Sequence, residues 1–119
     1  MKLTVKEQER LIMFNVAEVS RRRWKRGVKL NYIEAMSIIC DELLERAREG
    51  RDSIYDLVEL GSRIITEEDV MEGTPEMLPV IQLEVMFPDG SKLVSVQEPI
   101  RLENREDAVP VSELVSMNY

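Results

Sequence analysis

At Pro79 the chain changes its repeat, and no single-class fold accommodates both halves. Before it, apolar residues recur three and four apart; after it, Ile81, Leu83, Val85 and Phe87 alternate with Gln82, Glu84 and Met86. The first pattern places a stripe on helices, whereas the second is that of a half-buried strand. An α+β fold follows, an N-terminal bundle of about four helices and then a two-stranded antiparallel hairpin.

Punctuation supports each helix. Thr4 with Glu7, Asn31 with Glu34 and Ser53 with Asp56 have the spacing of capping boxes, in which each partner satisfies an orphan backbone N–H of the other. Gly27, Gly50 and Gly61 stand where helices stop. Leu11, Ile12, Val16 and Val19 give the first helix its apolar face, widened by Phe14; Met36, Ile39, Cys40, Leu43, Leu44 and Ala47 give that of the second. Ile54, Leu57 and Val58 are the apolar positions of the third helix, and a fourth is expected from Thr66, with Glu67, Glu68 and Asp69 in its first turn, to Gly73. Helices over 4–73 and a hairpin over 80–98, turning at Pro88-Asp89-Gly90-Ser91, therefore make one domain of residues 1–100. A hairpin alone is marginal in water, so it rests on the helices or extends another chain's sheet. Residues 101–119 are a C-terminal extension, polar to Asp107 and modestly apolar at Val109, Val111, Leu114, Val115 and Met117. They read either as a docking arm or as an ordinary terminus.

Composition removes most chemistry. The 119 residues contain no histidine and one cysteine, Cys40. That excludes an internal disulfide, a thiol-rich metal site and any Ser-His-Asp or Cys-His centre built from this chain alone. Carboxylates remain, but Glu67, Glu68, Asp69 and Glu72 lack the spacing of a calcium loop and are accounted for by a charged helix start. No catalytic, cofactor-binding or metal-binding residue is assigned. No apolar run is long enough to span a membrane, and the charged first residues, MKLTVKEQER, are unlike a signal peptide, so a cytoplasmic location is expected.

Net charge is −7, with 13 basic and 14 acidic residues over 1–70 but 3 and 9 over 71–119. RRRWKRGVK, Arg21 to Lys29, is compatible with phosphate binding, yet a basic helix end beside a packed tryptophan fits an acidic chain better than a nucleic-acid site does. Met71, Met77 and Met86 gather near the irregular stretch VMEGTPEMLP, and methionine adapts to irregular contacts. The interface candidates are Arg22, Trp24, Asn31, Tyr32, Met71, Glu72, Met77 and Leu78.

Four blocks in order carry a resemblance: MKLT at the start, RGVKLNYIEA from Arg26, VMEGTPEMLP from Val70 and IQLEVMFPDGSKLVSVQEPI from Ile81 to Ile100. Together they resemble the gamma subunit of bacterial urease, the smallest subunit type, over residues 1–100. The resemblance implies helices followed by a hairpin and a role in hydrolysing urea to ammonia and carbamate. It places that chemistry in the alpha subunit, at a two-nickel centre with histidine ligands and a bridging carbamylated lysine. The gamma subunit it implies supplies no ligand or base. It packs with alpha- and beta-type subunits in a trimer of heterotrimers or a higher multiple, without nucleic acid or membrane. Two departures stand out: Gln97 where the family usually has histidine, and the extension past Ile100. A stand-alone interaction module, or a paralogue serving a different partner, is the alternative reading.

Overall fold

The computed structural model of the chain describes residues 2–114; Met1 and residues 115–119, with Val115 and Met117 of the tail's apolar set, lie outside the described residues. Three long helices come first: α1 (Val5–Lys25), α2 (Tyr32–Glu49) and α3 (Ile54–Gly61). Each opens on the capping box read from the sequence, with both reciprocal bonds made. Gly50 closes α2 at φ 79°, the left-handed conformation that glycine takes without a Cβ penalty.

The fourth helix departs from expectation. Instead of running from Thr66 to Gly73, the chain forms a 3-10 turn at Glu67–Asp69, and α4 spans Thr74–Met77. Thr66 and Asp69 do bond reciprocally, but Val70 is extended, at φ −122° and ψ 162°. Leu30 explains why. Its amide donates to the Asp69 carbonyl and its carbonyl accepts from the Met71 amide, both at 2.9 Å, in an isolated parallel bridge between Leu30 and Val70. A tertiary pairing thus outbids local helix propensity, which is a weak prior over so short a stretch.

Strands β1 (Val80–Phe87) and β2 (Gly90–Gln97) pair antiparallel from Val80 with Gln97 to Phe87 with Gly90. Ile81, Val85, Phe87, Val94 and Val96 are buried on one face while Met86 and Leu93 lie exposed on the other. The hairpin rests on the chain's own helices: α2 packs against α1, α3, α4 and β1, and α3 packs against β2. Ile38, Ile39 and Leu43 of α2 are at most 1% exposed, each contributing roughly 1.5–3 kcal/mol by burial.

Helix α1 is the second departure. The face it turns to α2 is not the apolar stripe of Leu11, Ile12 and Val19 but Ala17, Ser20 and Arg21, with Met13 and Trp24 at its edges. Small residues let the two helices approach closely. The Arg21 guanidinium, 2% exposed, pairs with the fully buried Asp41 carboxylate, which also takes Arg10 at 2.7 Å. A buried ion pair of this kind contributes little net stability but strongly penalises loss of either partner, which fixes how α1 sits on α2.

Past Ile100 the chain folds back over its own helical half. Short 3-10 turns at Arg105–Asp107 and Val111–Glu113 carry it to Leu114, which is 1% exposed. Glu98, at φ 45°, is the one non-glycine residue with positive φ among those described; it turns the chain out of β2 while its amide donates to the Pro79 carbonyl at 2.8 Å.

Candidate functional site

Two surface regions gather the candidate contact residues. The first is the outward face of α1. Val5 is 69% exposed, Ile12 62% and Val19 46%, one every second turn, with Leu11 beside them. Where α1 meets the start of α2, Val16, Val19 and Ile33 line an open, mostly apolar cleft of about 370 Å³ rimmed by Asn15, Arg23 and Asn31. The recurrence of exposed apolar side chains along one helix face, beside this cleft, makes it the chain's candidate docking surface.

The second region surrounds the Leu30–Val70 bridge, where most of the interface candidates come together. Asn31 and Tyr32 follow Leu30; Met71 and Glu72 follow Val70. The Trp24 indole N–H donates to Asp69 Oδ1 at 3.0 Å, which brings the end of α1 to the same place. Asn31, Met71, Glu72 and Met77 are exposed, Tyr32 and Trp24 half-buried. Arg22 is exposed and lies 3.5 Å from Glu18 of its own helix. Leu78 is the exception, 5% exposed and part of the chain's own core.

The basic run of α1 is largely consumed within the chain. Arg21 pairs with Asp41, Arg23 with Glu34 at 2.6 Å, and Lys29 donates to the Glu68 carbonyl. Burial pushes the Glu34 carboxyl up, but the Asn31 amide and Arg23 outweigh it and hold it below the usual carboxylate range. Burial, with Asp41 beside it, pushes the Cys40 thiol up to about 12, the signature of an inert core thiol rather than a nucleophile. Among the described residues no group of three or more His, Cys, Asp or Glu side chains is placed to hold a metal ion. No helix among them is long and apolar enough to cross a membrane.

The sequence itself has well-defined relatives. A sequence model described as "Urease, gamma subunit" matches residues 1–100. The urease subunit gamma of Natronomonas pharaonis is 50% identical over 106 residues, covering 89% of this chain and 96% of that protein. The chain belongs to the urease gamma-subunit family. A second relative, the urease subunit gamma/beta of Pseudomonas syringae pv. syringae, is 52% identical over 101 residues; those cover 85% of this chain but 43% of that longer protein. The first alignment takes in 106 residues of this chain, more than the 100 matched to the urease gamma family, so the likeness runs into the tail. Gln97 ends β2 with its side chain exposed and its carbonyl accepting from Arg101.

The outward α1 face escaped the sequence reading because helical periodicity records a stripe without saying what covers it. One signal was present: Ala17, Ser20 and Arg21 share a face that contains a charge, and Asp41 stands at the centre of the second helix's apolar run.

Proposed function

We propose that this chain is the non-catalytic supporting subunit of a cytoplasmic, urea-hydrolysing nickel enzyme. It docks onto an alpha-type catalytic subunit and, with a beta-type subunit, completes a trimer of heterotrimers or a higher multiple. The observation that carries the reading is the row Val5, Ile12 and Val19 on the outside of α1, left uncovered in a chain of the urease gamma family. A chain without histidine and with one buried cysteine offers nickel nothing it prefers, so the metal belongs to the partner, where it would activate water and polarise the urea carbonyl. This chain's part is to hold the partner's surface in place. Its own side chains bind and position, and none of them is assigned a proton to move.

Co-expression with alpha- and beta-type subunits, followed by native mass spectrometry and metal analysis, tests the assignment. The expected result is a complex holding all three chain types in equal number, with nickel and urea hydrolysis lost when this chain is omitted. A chain that stays monomeric beside assembled, active partners overturns it and leaves the stand-alone interaction module.

A further inference from the structure

The segment 101–114 lies beyond the 100 residues matched to the family, and the docking reading makes no use of it. Its polar composition suggests a loose terminus, yet it is held by many directional bonds. Arg105 is their centre. Its Nη1 donates to the Ile64 carbonyl at 2.5 Å and to Asp69 Oδ2 at 3.0 Å, and its Nη2 donates to the Val109 carbonyl at 2.6 Å. The same guanidinium lies 5.3 Å from the centroid of the Trp24 ring, a cation–π distance.

Asp69, 8% exposed, is the receiving hub. Besides Arg105 it accepts from the Trp24 indole and from the amide and hydroxyl of Thr66. Backbone bonds flank this centre. The Glu67 and Glu68 amides donate to the Leu102 and Glu103 carbonyls, and the Val109 amide donates to the Arg63 carbonyl. At the far end Arg46 donates to the Glu113 carbonyl at 2.8 Å. Against this, Ala108 and Leu114 are the segment's only buried apolar anchors among the described residues, with Val109 partly buried against the core. Two such anchors are a small hydrophobic return for ordering a backbone segment of this length. The polar centre must therefore decide whether the segment is bound.

We propose that residues 101–114 are an intramolecular latch with Arg105 as its keystone, closing over Trp24 and Asp69 to fix the end of α1 against the Thr66–Val70 segment. Arginine is required there because one planar group must bond two carbonyls and a carboxylate while lying on a ring. Lysine offers a compact ammonium that cannot reach all four. Because the flanking backbone bonds follow from the same placement, loss of the keystone releases the segment as a unit.

The chain carries its own reporter, since Trp24 is the only tryptophan. The full chain, with Arg105→Ala and Arg105→Lys variants, is compared by tryptophan emission, hydrogen exchange and thermal unfolding. In Arg105→Ala the emission moves to longer wavelength, and the Glu67, Glu68 and Val109 amides exchange at least about tenfold faster. The Leu43 amide in α2 keeps its protection, which separates an opened latch from an unfolded chain. The unfolding midpoint falls by about 5 °C, and Arg105→Lys recovers only part of each change. Unchanged emission and unchanged exchange at those three amides in Arg105→Ala overturn the latch. So does a wild-type chain in which they already exchange like an unstructured peptide.

Discussion

Glu34 caps α2 and answers Arg23 of α1 with one carboxylate, accepting from the Asn31 amide at 2.9 Å and from the guanidinium at 2.6 Å. Its folded pKa is depressed, although burial alone would raise it. A depressed acid contributes stability above its unfolded pKa and loses it as pH falls through the folded value. The contribution of Glu34 is therefore complete at neutral pH and fades below about pH 4.5, its ordinary value. A glutamine side chain at this position would still accept from the amide but has no charge for Arg23. Urea unfolding of Glu34→Gln is expected to show a loss of about 1 kcal/mol at pH 7 and a flatter stability profile between about pH 5 and pH 3. An acid limb identical to that of the wild type would mean that another carboxylate governs it.

Helix α3 shows how one missing side chain sets the distance between elements. A Cβ on Gly61 would stand 2.7 Å from Val96 Cγ2 and 3.2 Å from Val96 Cγ1, with Leu43 Cδ1 at 3.5 Å. The close approach of α3 to β2 and α2 thus depends on glycine's size, since Val96 is buried and has nowhere to retreat. Gly61→Ala gains helix propensity but forces the hairpin outward. Overpacking of this kind costs typically about 1–3 kcal/mol, and a net destabilisation of about 1–2 kcal/mol is expected in denaturant unfolding. In the sequence Gly61 carries only the signature of a helix stop. Local rules fix three capping boxes, the glycine that closes α2 and the alternation that buries Ile81, Val85 and Phe87. Contacts distant in sequence decided the rest. Leu30 pulls Val70 out of the expected fourth helix, and Asp41 turns Arg21 of α1 inward. Of the interface candidates, Asn31, Tyr32, Met71 and Glu72 meet at one bridge that only the fold creates, and Leu78 is spent on the core.

At the scale of the whole molecule, the core and the proposed docking face use different apolar residues, so stability and assembly should separate under mutation. Core positions such as Leu43 serve the fold; Ile12 and Val19 look outward, 62% and 46% exposed. Replacing both with serine removes little that folding buries, and exposed substitutions of this kind usually change stability by less than about 0.5 kcal/mol each. If a partner covers the row, the same serines remove apolar contacts from the middle of an interface, where a few residues carry most of the binding energy. The Ile12→Ser/Val19→Ser chain is therefore expected to unfold at nearly the wild-type denaturant midpoint. Its affinity for the alpha-type subunit should fall at least about tenfold, equivalent to about 1.4 kcal/mol. Met77→Ser offers an internal comparison, because Met77 is 59% exposed at the opposite kind of site, the irregular seam leading into β1. It is a cleaner probe there than Leu78, whose loss would damage the core before it touched any partner. Loss of assembly in Met77→Ser with wild-type assembly in the double serine chain would move the docking surface from α1 to the seam. Loss in both would make the two regions one continuous interface. Wild-type assembly in both variants would mean that the outward face of α1 is not where the partner binds.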